Sequence, residues 1–168
     1  MRPMYYPKSL ILEVLDEFAL RGDTRWISDR QFKLACLLGV AVGLALLSDH
    51  APVLLKEHSW QVLVLVVLIT PLIEELLFRG ILQGRLLKLN WGSQHLFGFT
   101  VANSSSSIVF TGFHFISHDP IWALSVLIPS LLFGYFRDRH NSVYPSIALH
   151  MFFNAVYFIL PIMMGNFI

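Results

Sequence analysis

The sequence predicts an all-α fold: a polytopic transmembrane helix bundle of about five spans, with an N-terminal interfacial amphipathic helix. Three observations predict it. Of 168 residues, 55% are hydrophobic and only 14% charged, and the mean hydropathy of +0.63 lies well outside the usual range of a soluble domain. Apolar windows approach the roughly 20 residues that a helix needs to cross a hydrocarbon core about 30 Å thick, and charges gather at their ends. Lys and Arg, finally, fall almost entirely in alternate connections between those windows.

Residues 1–31 read as a cytoplasmic or interfacial segment preceding a transmembrane domain over 32–168. Within it, residues 9–21, "SLILEVLDEFALR", repeat apolar side chains at helical spacing with Glu13, Asp16 and Glu17 between them, the pattern of a helix lying on the inner membrane face. The first apolar span begins some 30 residues in and lacks a small-residue cleavage site, so no signal peptide is expected. The five spans are Phe32 to Leu47, Trp60 to Gln83, Leu96 to Ser117, Ile121 to Phe136 and Pro145 to Ile168, the first and fourth being short. Gly39 and Gly43 form a GxxxG pair and Ser104 to Ser107 a run of small residues, both read as sites of close helix packing in lipid.

Positive charges orient the bundle. Arg2, Lys8, Arg21, Arg25, Arg30 and Lys33 precede the first span, Arg79, Arg85 and Lys88 mark the second connection, and Arg137 and Arg139 the fourth, against Lys56 alone on the opposite side. The N-terminus is therefore expected in the cytoplasm, with the C-terminus outside and the protein integral to the membrane. A net charge of +1 predicts no nucleic-acid partner, the inner excess of Lys and Arg being a matter of topology. Cys36 is the single cysteine, so no intrachain disulfide can form and a packed thiol is expected.

Within the apolar run "ITPLIEELLFRGILQ", residues 69–83, stand Glu74, Glu75 and Arg79. Ionisable groups at membrane depth cost several kcal/mol unless they meet a partner or a cavity, which makes them functional candidates. Glu75 and Arg79 are four apart, about 40° round a helix axis, and can pair with the acid on the favourable N-terminal side. Glu74 lies about 100° from Glu75 with no local cation, the setting of a general base or acid. Two other spans carry polar groups at i, i+4 spacing: Phe110 and His114, then His150 and Asn154, which can point jointly at one target. If the second and third spans form a hairpin turning at Asn90 to Ser93, Glu74 and His114 stand at one level and can face each other.

Read together, E-E-x-x-x-R (Glu74, Glu75, Arg79), F-x-x-x-H (Phe110, His114) and H-x-x-x-N (His150, Asn154), with "P-x-I-x-x-H" opening the last span, resemble the CAAX protease and bacteriocin-processing family, also called Abi, of intramembrane endopeptidases. The likeness covers roughly Pro71 to Tyr157. It implies an enzyme that cleaves a membrane-anchored protein or peptide near its terminus, within the lipid bilayer. In that family the residues matching Glu74 and His114 are thought to activate a water, and those matching His150 and Asn154 to stabilise the oxyanion. Glu75, Arg79 and Phe110 would support them, and no cofactor is required. Family members typically have more spans than five, which leaves the prenylated CAAX substrate open.

Three alternatives stand on the residues alone. His114 and His118 at i, i+4, with Glu74 and His150, could supply zinc ligands, although no HExxH motif is present. The serine run could hold a nucleophile, without the Gly-x-Ser-Gly context such intramembrane enzymes show. A non-enzymatic bacteriocin-immunity or scaffold protein could keep the fold without the chemistry.

Overall fold

In the computed structural model, residues 18–20, 22, 24–46 and 60–163 are described. A 3-10 turn, Arg25–Ser28, leads into α1, Arg30–Leu46. The longest helical run is α2, Trp60–Leu86, followed by two short antiparallel strands, β1 (His95–Leu96) and β2 (Phe99–Thr100), then α3 (Val101–His114), α4 (Pro120–Ser125), α5 (Leu127–His140) and α6 (Tyr144–Met163). Three of these runs, Trp60–Leu86, Pro120–His140 and Tyr144–Met163, are long and apolar enough to cross a membrane. The all-α helical bundle expected from the sequence is the fold. The predicted amphipathic helix falls largely on residues 9–17, outside the described residues, and the part of the last span beyond Met163 lies outside them too.

Two elements differ from expectation. The predicted third span, Leu96 to Ser117, instead opens with a β-hairpin whose turn residues Phe97 and Gly98 both have positive φ, 52° and 87°. This is the backbone combination that matches the twist of two short strands. Thr100 then caps α3, its hydroxyl accepting from Asn103 N–H at 3.0 Å. The resulting 14-residue helix is about 21 Å long, short of a full crossing. The fourth span is longer than predicted: Asp119 accepts from the N–H groups of Ile121 and Trp122, Pro120 occupies the first turn, and the run ends only where Asn141 turns left-handed at φ 48°.

The core is built of Phe32, Ala35, Phe133, Phe136 and Leu149, with α1 and α5 both packed on α6 and α3 packed on α5. The GxxxG pair of α1 faces α6: a Cβ at Gly39 would strike the Phe153 ring, and one at Gly43 the Val156 side chain. The serine run also lies at a packed face, with Ser106 and Ser107 buried. Cys36 packs beside the core as a free thiol.

Candidate functional site

Helix α2 is not a uniform α-helix. Residues Leu65–Ile69 and Leu76–Leu82 are π-helical, on either side of an α-helical stretch, Thr70–Glu75, that carries both glutamates. π-Turns in a helix frequently accompany functional sites because they change which way the following side chains face.

Glu75 and Arg79 are fully buried. Glu75 Oε2 lies 3.4 Å from Arg79 Nε, the i, i+4 ion pair expected from the spacing. Arg79 is further held by α5 and α3: Nη2 donates to the Ser130 carbonyl at 3.0 Å and to its hydroxyl at 2.8 Å, and the guanidinium carbon stands 5.0 Å from the centre of the Phe110 ring. The other Glu75 oxygen, Oε1, meets His150 Nδ1 of α6 at 2.9 Å. An ionised carboxylate only accepts, so Nδ1 carries the hydrogen and Nε2 is the nitrogen turned to the rest of the site. His150 is fixed as well by Phe133, whose ring stacks on it at 4.7 Å and 20°.

Glu74 has a different environment. Its side chain is 27% exposed where that of Glu75 is 0% exposed, and Oε2 lies 3.7 Å from His150 Nε2. The partner absent from its own helix thus comes from α6. A chain of contacts therefore runs Arg79, Glu75, His150, Glu74, from a fully buried end to a partly exposed one.

His114, half-buried near the end of α3, donates from Nδ1 to the Phe110 carbonyl at 2.9 Å, which leaves Nε2 of the neutral ring as an acceptor. The Phe110 ring stands 4.6 Å from His114 and 6.1 Å from His150, bridging the two. One hydrogen of the Asn154 amide is taken by the backbone of α2: Nδ2 donates to the Val66 carbonyl in the first π-segment at 2.8 Å. An i, i+4 spacing puts two side chains on one face, but their length and the neighbouring helix decide where each ends. Among the described residues no three His, Cys, Asp or Glu side chains are grouped to hold a metal ion. Of the four ligands considered for zinc, Glu74 and His150 lie together, while His118 stacks on the rings of His114 and Trp122, at 5.9 and 4.0 Å.

Ser130 and Phe133, both from α5, escaped the sequence reading. Ser130 is a lone hydroxyl in the apolar run "LIPSLLFG", a signal available in principle; nothing distinguishes Phe133 from the chain's other phenylalanines.

The family model described as Rce1-like, type II CAAX prenyl endopeptidase, matches residues 56–156, a stretch that contains every polar group of this site. The chain belongs to that family. It is thus a member of a peptidase family with helices suited to a bilayer, in agreement with the resemblance carried by the three motifs. Comparison with curated proteins and with solved structures returns no match. Within the Rce1-like match, Glu74, Glu75 and Arg79 fall in its first part and His150 and Asn154 at its end, so folding must bring together residues about 80 positions apart.

Proposed function

We propose that this protein is a glutamate-dependent intramembrane endopeptidase that cleaves a membrane-anchored, CAAX-type protein or peptide near its C-terminus. The reading rests on one observation above others: of two adjacent carboxylates, Glu75 is sealed against Arg79 and His150, while Glu74 beside them keeps an accessible face. The buried pair is an anchor and the accessible acid is the reagent.

In this reading Glu74 and the acceptor nitrogen Nε2 of His114 orient a water. As the water oxygen bonds to the scissile carbonyl carbon, Glu74 takes its proton and the carbonyl electrons move to oxygen. His150, held through Nδ1 by Glu75, offers Nε2–H to that oxyanion. Asn154 Nδ2 has two hydrogens, and the one that does not meet Val66 is the second donor. Such donors contribute about 3 to 4 kcal/mol each to the transition state. Collapse of the intermediate breaks the C–N bond, and Glu74 returns the proton to the leaving amine. The family's name supports a prenylated CAAX terminus as the substrate.

The test uses purified protein in liposomes with membrane-anchored peptides ending in prenylated CAAX or in other C-terminal signals. Wild type is expected to cleave the prenylated peptides, Glu74→Gln to lose at least about 10³-fold in kcat, and a zinc chelator to change nothing. Chelator-sensitive cleavage would shift the chemistry to a metal. Cleavage of none of the peptides would sink the enzyme reading and favour a scaffold or immunity role.

A further inference from the structure

Pro71 sits inside α2, where a proline removes a backbone donor, and it lies only three residues before Glu74. In an α-helical pattern the Val66 carbonyl would accept from Thr70 N–H, but in the π-segment Thr70 donates to Leu65 instead. In a π pattern its donor would be residue 71, which as proline has no N–H. Both backbone partners are thereby lost to one carbonyl at membrane depth. Asn154 of α6 supplies the missing hydrogen at 2.8 Å. Proline is tolerated in membrane helices where a neighbouring side chain satisfies what it frees.

We infer that Asn154 is a positioning residue: by capping the carbonyl that Pro71 orphans, it locks the π-turn whose offset aims Glu74 and Glu75 at His150. Side chains of other helices reach carbonyls of the second π-segment too, Ser106 that of Phe78 and Arg137 that of Arg79, but there the Phe78 carbonyl keeps a backbone donor in Gln83. The upper lock differs in tying α2 to the very helix, and within one turn of the very residue, that Glu75 engages. Registry between the carboxylates and the histidine is thus set from two points four residues apart on α6. This role rests on the proposed chemistry for its meaning, but it concerns the first hydrogen of the Asn154 amide rather than the one offered to an oxyanion.

A four-protein cycle tests it: wild type, Asn154→Ala, Pro71→Ala and the double variant, each read by melting midpoint, by the 15N shifts of the His150 ring and by kcat and KM. Pro71→Ala restores a backbone N–H, so Asn154 becomes dispensable as a cap. Asn154→Ala is expected to lower the midpoint by about 5 °C, to shift the His150 resonances and to lower kcat about 10² fold with KM little changed. In the Pro71→Ala background the midpoint loss should fall below about 2 °C, the His150 shift should disappear and the kcat loss should shrink about tenfold. Equal losses in both backgrounds would overturn the inference and leave Asn154 as an oxyanion donor only. If wild type cleaves no peptide, the proposed activity fails, and the midpoints and the His150 resonances still decide whether Asn154 and Pro71 are coupled.

Discussion

Replacing Glu75 by Gln keeps the shape of the side chain and removes its charge, leaving the buried Arg79 guanidinium without its ion-pair partner. Two unit charges 3.4 Å apart interact by about 5 kcal/mol at an effective dielectric of about 20. Breaking one partner of a fully buried pair costs about 3 to 5 kcal/mol by experience, and the two figures agree. The remaining Arg79 contacts, to Ser130 and the Phe110 ring, position the cation but neutralise nothing. For a chain of this length the loss corresponds to a fall of about 6 to 20 °C in the melting midpoint, measured in detergent by tryptophan fluorescence or differential scanning. Because Glu75 also orients His150 through the 2.9 Å bond, kcat should fall with it, by about 10² to 10⁴ fold. The companion variant Glu75→Gln/Arg79→Met removes both charges and should melt well above the single variant, since a buried pair exchanged for uncharged groups is often neutral. A Glu75→Gln protein that melts within about 2 °C of wild type would refute this account of the buried pair.

Further predictions concern the frame around the site. A Cβ on Gly134 of α5 would collide with the Asn103 amide oxygen and come within 2.8 Å of Gln83 Oε1, so Gly134→Ala should cost about 1 to 3 kcal/mol by forcing α3, α2 and α5 apart; a stability loss under about 0.5 kcal/mol would contradict it. Asp29, which joins the start of α1 to the end of α5 by accepting from Arg139 Nε at 2.6 Å, has its carboxyl held below the usual range chiefly by that hydrogen bond. A lowered folded pKa makes this contribution complete above the unfolded value of about 3.9 and lost as pH falls through the folded one. Asp29→Asn should therefore narrow its gap in melting midpoint to wild type as pH is lowered below about 4, and a gap that stays constant there would disprove the link.

Much of the site is legible in the sequence because its key spacings are local. Glu75 and Arg79 pair at i, i+4 within one helix, and helical geometry alone predicts that. Phe110 and His114 likewise meet within one helix, through ring contact and through the Phe110 carbonyl. The same logic failed to name the Val66 carbonyl as a partner of Asn154, since only the proline on another helix made that carbonyl available. It failed again for the third span, where the positive φ of Phe97 and Gly98 converts an apolar start into a hairpin. Ser130 and Phe133 were out of reach of spacing arguments, since their importance comes wholly from what α5 is packed against.

By itself the sequence determined the solvent and the inventory of reagents: its apolar content demands a bilayer, and charges placed in apolar runs at helical spacing can persist only if paired or used. What only the tertiary structure decided is which of two neighbouring glutamates is sealed and which keeps an exposed face. Adjacent positions differ by about 100° on a helix, but the direction of that rotation relative to α6 depends on two π-segments and on packing against α3, α5 and α6. Burial of Glu75 and exposure of Glu74 follow from those contacts, because solvent access belongs to the space between helices, and no single helix encodes it.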